Sequence, residues 1–467
     1  MAVATVRSRF DDPDMWWHLK LGEIMWNTHK VPTADLFSFT TNHHVYVPHE
    51  WLSQVLIYGA YRLAGYSGLM VWLCFFTSAI LVAGYGLCSL YSGNAKVGFL
   101  GALAIWMFGT IGFAVRPQMI GYLLLIVELL LIQLGRNRSP RWFFGLPPLF
   151  AIWVNCHGSF FLGIVLASGI AFSSYFNFQY GALVAERWDG RRRRMLTWAV
   201  ILSVPALLLN PVGARLVLYP LNLLLSQPIN IGNVQEWQHL RWTDPRGLML
   251  LGILGFILVG LFRRRVELRP EELLCLALGT WLAATHERML FVFGVLAAPI
   301  LARLLANSWD NYDAGRDRPM PNAVLIVGAL LLVLWAFPTR RNLTAQVEQD
   351  SPAGAVAFIR GHHLAGPMLN AYVYGGYLIW AAPEYPDFID GRTDIFEWTG
   401  VLQEYGEWAT LRASPEGLLD KYRINFCLLD RRSPIAAVVA SMPGWKVVYS
   451  DDQSVVAERV HAISSSP

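Results

Sequence analysis

The chain of 467 residues is 55% hydrophobic and only 15% charged. A soluble domain usually carries about 25% charged residues, so much of this surface does not face water. A formal net charge of +4 is too small to point to a nucleic-acid partner. The five cysteines (Cys74, Cys88, Cys156, Cys275 and Cys427) are isolated and odd in number, which implies neither a disulfide framework nor a zinc site.

Residues 1–65 read as an external region on the membrane surface. Asp11, Asp12, Asp14, Trp16, Trp17 and His18 lead into an amphipathic stretch through Gly22 to Trp26. The segment Pro32 to Thr41 is rich in turn formers, and His49-Glu50-Trp51 opens a second amphipathic helix toward Tyr61.

Residues 66–338 carry the apolar runs. Crossing a hydrocarbon layer takes roughly 17–25 helical residues. About ten candidate spans are predicted: 66–91, 97–115, 117–134, 142–156, 158–176, 195–210, 246–262, 271–286, 289–306 and 322–338. The two runs that meet at Asn155-Cys156-His157-Gly158 also read as one re-entrant unit.

Arginine clusters follow alternate spans: Arg136, Arg138 and Arg141, then Arg187 with Arg191 to Arg194, then Arg263 to Arg265, then Arg316 and Arg318. As cytoplasmic anchors they fix the orientation. The region 1–65, the turn at Arg116-Pro117, the turn at residues 155–157, the loop 211–245, the turn His286-Glu287-Arg288 and the tail 339–467 then lie outside. An external N-terminus of this length needs something to carry it across, and Met1 to Phe10 is neither a signal peptide nor a span. A transmembrane helix upstream of Met1 is therefore expected.

The tail alternates predicted helices (352–361, 399–412, 415–422, 433–441) with predicted strands (367–371, 425–430, 445–450, 453–460). Asp451-Asp452-Gln453 forms a hairpin turn between the last two. The expected fold is mainly α: a polytopic transmembrane helical bundle with a small C-terminal external α/β domain, in the cytoplasmic membrane.

This orientation sets Asp12, Asp14, His18, His49, Glu50, Arg116, His157, Glu236, His239, His286, Glu287 and Arg288 at or just beyond the outer ends of spans. Ionisable groups near lipid are costly, so an outer cavity is the functional expectation. Asp12 and Asp14 suit capping of the helix that starts near Met15. A carboxylate held there beside two tryptophans also suits taking a proton from an acceptor hydroxyl.

Arg116 and Arg288 suit a phosphate or diphosphate, because a guanidinium offers several donors in a fixed fork; the competing reading is snorkelling at a span end. His157 and His286 bond a phosphate or serve as helix-end packing. Scattered acids and histidines can hold Mg²⁺ or Mn²⁺, although no spacing demands a metal. Glu128 lies in mid-span, where an acid is by default a functional candidate. Asp390 and Arg392, in the run Phe388 to Asp394, are expected to pair and brace their turn.

The opening Asp12-Pro13-Asp14-Met15-Trp16-Trp17-His18-Leu19, with Gly22 following, resembles the first external loop of bacterial multi-pass glycosyltransferases of the GT-C superfamily. Pro48 to Leu52, Arg116-Pro117-Gln118, Trp153 to Gly158, Asn210-Pro211 and Phe388 to Asp394 are similar to an uncharacterised branch of it. The resemblance implies many transmembrane helices, a catalytic acid in the first external loop and a sugar donor carried on a polyprenyl phosphate. Asp12 or Asp14 would then be the catalytic base, with Asp14 favoured by its place beside Met15-Trp16-Trp17.

Three readings follow. The first is a membrane glycosyltransferase that passes a sugar from a polyprenyl-phosphate donor to a lipid, glycan or protein acceptor. In it, His18, His49, Glu50, Arg116, His157, Glu236, His286 and Arg288 bind substrate. A transporter or flippase for a lipid-linked sugar predicts ionisable residues along the midplane, where Glu128 is the clear example. A non-catalytic membrane assembly protein needs no outer cavity.

Overall fold

The computed structural model describes residues 10, 12–41, 43–226, 229, 238–263, 267–307, 312–313, 315 and 317–460. They form two compact units, one of the described residues within 71–220 and 238–337, the other of those within 10–70, 221–229 and 338–460.

In the first unit, four helices are long and apolar enough to cross a membrane: Tyr66–Ser92 (which begins in the second unit), Gln118–Asn137, Pro245–Phe262 and Glu287–Ala306. There are five if Met320–Ala336 with Arg340–Asp350 counts as one broken span. The protein is thus an integral membrane protein. A helix occupies each of the ten predicted apolar runs, but several are short. Proline is one reason. Pro140 starts a 3-10 turn, Pro140–Gly145, and Pro147 and Pro148 confine the next helix to Leu146–Cys156.

Two elements were not expected. The loop 211–245 contains the helix Ala214–Ser226, and a hairpin of β1 (Phe178–Tyr180) and β2 (Leu183–Ala185) precedes the helix Gly190–Ala206. Gly181 at φ 58° makes that tight turn.

Polar contacts collect at the two ends of this unit. At one end, Glu271 takes a hydrogen bond from Arg136 (2.6 Å) and another from Ser173 (3.2 Å). Arg303 forks onto Glu272 at 2.6 and 3.0 Å. These contacts tie the C-terminal ends of the helices Gln118–Asn137, Phe160–Ser173 and Leu290–Ala306 to the N-terminal end of Pro270–Thr285. Between the ends the packing is aromatic and close, with Phe108 edge-on to Phe293 at 5.3 Å.

Glu128 is buried within this unit, and among the described residues no side chain hydrogen-bonds to its carboxyl oxygens. Room for it comes from Gly163, where an added Cβ would stand 2.7 Å from Oε2 and 2.6 Å from the Trp153 ring.

In the second unit, strands β3 (Met368–Asn370), β4 (Phe426–Asp430), β5 (Trp445–Ser450) and β6 (Ser454–Arg459) form one sheet in the order β3-β4-β6-β5. The β3–β4 pair is parallel and the other pairs are antiparallel. Asp451 closes the last hairpin by accepting from the backbone N–H groups of Gln453 and Ser454. Serine caps and N-terminal prolines start the helices Pro415–Lys421 and Pro434–Ser441 where the sequence places them.

The helices Asp14–Thr28 and Trp51–Ala64 belong to this same unit. Trp17, Leu21, Met25 and Tyr46 share a buried cluster with Ile379 and Ile395 from the tail. Early and late parts of the chain therefore share one core.

Candidate functional site

Asp14 stands in the first turn of its helix, where the dipole favours a carboxylate. Its Oδ1 accepts from the Trp17 indole at 3.2 Å, and its backbone N–H donates to Asp12 Oδ1 at 2.9 Å. Pro13 holds the N-cap position, and Asp12 serves the helix start by accepting from its first N–H. The tail also reaches this carboxylate. A Cβ added at Gly391 would stand only 1.9 Å from Asp14 Oδ1 and 3.1 Å from Trp17 Nε1. Only glycine lets the 388–394 turn lie this close.

One turn further along the helix, His18 is buried, with Nδ1 3.2 Å from Gln54 Nε2 and 3.9 Å from Glu50 Oε2. His49 Nε2 lies 3.7 Å from the same Glu50 oxygen. The second unit thus gathers Asp12, Asp14, His18, His49 and Glu50 around two packed helices. Gln54, which the sequence reading passed over, links His18 to the Tyr46 hydroxyl at 3.4 Å.

Beneath the same turn lies a buried charge cluster. Arg392 forks onto Asp390 and also pairs with Asp35, a residue 357 positions earlier. Ser38 and Thr41 donate to Asp35 as well. Burial alone would raise the Asp35 carboxyl, but the Arg392 charge and these hydrogen bonds hold it down at about 2. Asp387 is also buried, with neither side-chain oxygen in a conventional hydrogen bond. Burial first, and then the Asp390 charge, push it well above the usual carboxylate range against the pull of Arg392. The expected Asp390–Arg392 pair is present. Asp35 and Asp387 gave no signal beyond lying in polar turns.

The first unit holds the second group of predicted residues at the end opposite Glu271. Arg288 donates to Gln118 Oε1 at 2.7 Å, and Gln118 Nε2 donates to the Gly112 carbonyl at 2.7 Å. Gln118 thereby joins the 286–288 turn to the turn that carries Arg116. Tyr122 stacks on Phe291 at 3.8 Å beneath them. His157 Nδ1 lies 2.8 Å from Ser159 Oγ, and both face Gly121, where a Cβ would come within 2.9 Å of either.

Asn155 donates to the Leu209 carbonyl at 2.9 Å, and the Glu287 backbone N–H donates to Gln238 O at 2.9 Å. Arg246 approaches Glu287 at 3.7 Å. Arg116, His157, His286 and Arg288 therefore lie in turns at one end of the unit. His239 adjoins them, since Leu240 N–H donates to the Ala284 carbonyl at 3.2 Å. Glu236 lies outside the described residues. Among the described residues no group of three or more His, Cys, Asp or Glu side chains is arranged to hold a metal ion.

No family model matches the sequence, and no curated protein matches it. Solved structures do. ArnT from Cupriavidus metallidurans, bound to undecaprenyl phosphate, is similar with a TM-score of 0.51 at 12% identity, over 99% of this chain and 97% of that one. Its apo state gives 0.52 at 12% identity, over 98% and 95%. The archaeal oligosaccharyltransferase AglB from Archaeoglobus fulgidus, in complex with an inhibitory peptide and a dolichol-phosphate, gives 0.52 at 12% identity. That match covers 90% of this chain and 66% of AglB, so the chain spans just under two thirds of the archaeal protein. This chain therefore shares its fold with these proteins.

Proposed function

We infer that this protein is a membrane glycosyltransferase that moves a sugar from a polyprenyl-phosphate carrier to a hydroxyl or amide acceptor on the extracytoplasmic side. The single observation that carries the reading is the fold shared with ArnT along nearly the full length of both chains. The acidic opening motif of a bacterial GT-C branch and its tryptophan-rich helix agree with it.

In the reaction, the acceptor heteroatom bonds to the anomeric carbon while the bond from that carbon to the phosphate oxygen breaks. The acceptor proton passes to Asp14, whose Oδ1 is oriented by the Trp17 indole and by the close approach of Gly391. Polyprenyl phosphate leaves with added negative charge, which Arg116 and Arg288 stabilise, with His157 and His286 beside them. His18, His49 and Glu50 hold the acceptor side, and Glu236 contributes from the loop before His239. A divalent cation, Mg²⁺ or Mn²⁺, remains compatible with this chemistry and is tested by adding a chelator to the same assay. The domain division at 65 and 338, with the tail covering or presenting the acceptor, belongs to this reading. So does placement in the cytoplasmic membrane with the arginine clusters inside.

The test is transfer from a synthetic polyprenyl-phosphate sugar in detergent. Asp14→Asn is expected to slow transfer by about 10²–10⁴-fold, the usual worth of a general base. A variant that transfers at the wild-type rate removes Asp14 from that role. Movement of the carrier across proteoliposomes with no new glycosidic bond favours the flippase reading, for which the buried Glu128 is the supporting observation.

A further inference from the structure

The helix Gly190–Ala206 opens with four consecutive arginines, and the structure gives them different company. Arg192 pairs with Asp189 at 2.6 Å. Arg193 lies over the Tyr175 ring at 5.1 Å. Arg194 donates only to the Gly190 carbonyl of its own helix, at 3.0 Å. The Arg191 side chain meets no hydrogen-bond or ion-pair partner among the described residues. Among the described residues, Arg191 and Arg194 thus pair with no carboxylate. Cations at the N-terminal end of a helix also oppose its dipole, so this end calls for an anion beyond the one that Asp189 supplies.

The same two arginines line an open groove of ≈ 390 Å³ whose remaining walls are Phe144, Met195, Trp198 and Leu202. Positions 191, 194, 195, 198 and 202 fall on one stripe of the helix, charged at its start and apolar beyond. From Arg194 to Leu202 the apolar part runs about 12 Å at the helical rise. Large side chains along it stay uncovered, with Trp198 58% exposed and Leu202 and Phe144 46% each. A basic head with an apolar trough behind it has the shape and charge of a site for an amphiphile with an anionic head.

We propose that this groove binds an anionic phospholipid. Its phosphate sits on Arg191 and Arg194, and one acyl chain lies along Met195, Trp198 and Leu202 against Phe144. The site lies among the arginine clusters, on other residues than those assigned to the glycosyl-transfer chemistry.

The test is a lipid titration of the full chain in detergent, read by native mass spectrometry, with phosphatidylglycerol and phosphatidylethanolamine of identical chains. Phosphatidylglycerol is expected to bind more tightly. R191Q/R194Q should weaken it about 25-fold, at about 5-fold for each arginine near a phosphate, and leave phosphatidylethanolamine unmoved. R192Q/R193Q should change binding by less than about 3-fold, because those side chains are engaged in the protein. Equal losses from the two double variants would overturn the proposal by showing diffuse attraction to a basic surface. So would unchanged binding in R191Q/R194Q, or undecaprenyl phosphate displacing phosphatidylglycerol from the groove at equal concentration.

Discussion

Both compact units bury carboxylates, and they handle them in opposite ways. In the second unit Asp35 and Asp390 close on Arg392, and hydroxyls from Ser38 and Thr41 complete the shell. In the first unit Glu128 is as deeply buried, with no side-chain partner among the described residues and a glycine opposite. A buried ion pair is weak evidence of net stability but strong evidence of fixed geometry, since breaking it strands a charge. A solitary buried acid ties no element to another by an ion pair, and an acid within a span is by default a functional candidate. The cluster is therefore a fastening for the turn against Asp14, a role that no ion pair gives Glu128.

The largest effect should come from breaking the fastening. Arg392→Met should cost about 3–5 kcal/mol, read by denaturant unfolding of the purified chain in detergent, because two carboxylates lose their partner. Substituting Asp35, Asp390 and Arg392 together by apolar residues should cost much less, which separates stranded charge from lost packing.

Gly391→Ala sharpens the link to chemistry. The new Cβ must displace the Asp14 carboxylate, and a misplacement near 1 Å should slow transfer by about 10²-fold. The accompanying loss of stability should be only about 1–3 kcal/mol.

In the other unit, Gly163→Ala should cost about 1–3 kcal/mol by overpacking against Trp153 and Glu128. Glu128→Gln should move the melting temperature little, because no hydrogen bond is lost. A large drop would show that Glu128 does fasten its helix.

The last effect concerns pH. The folded-state value of Asp35, about 2, lies below its ordinary 3.8, so its contribution is complete above about pH 4 and is lost as pH falls toward 2. Asp387 is shifted the other way, so the folded state holds its proton longer and stability declines as pH rises above about 4. Asp387→Asn should flatten that alkaline decline in thermal melts while leaving the acid limb of Asp35 intact.

Much of this was legible beforehand, for local reasons. Proline and serine at helix starts, and strands bounded by turn formers, fixed four strands and four helices of the tail close to their observed bounds, whereas the helices Arg340–Asp350, Tyr372–Ala381 and Thr393–Trp398 were not expected. The Asp390–Arg392 pair was readable because a single residue, Gly391, separates the partners. Asp35 was not, because its partner lies 357 positions away and a polar turn looks the same whether it faces solvent or a guanidinium. Gln118 and Gln54 escaped notice for a related reason. An uncharged amide gives no electrostatic cue, yet each joins groups that the sequence did flag. The apolar runs were found, but their pattern did not reveal how prolines would shorten the helices.

The pairing of Asp35 with Arg392 also constrains how the molecule is made. Ribosomes add about 5–20 residues per second, so the early segment waits on the order of 20–70 s for its partner to emerge. All the intervening hydrophobic helices are synthesised in that interval. During it, Asp35, Trp17 and Tyr46 lack the tail residues that bury them, which makes this stretch a natural client for chaperones. Truncations that end before Ile379, and so remove Ile379, Arg392 and Ile395, should expose it permanently and mark the chain for proteolysis.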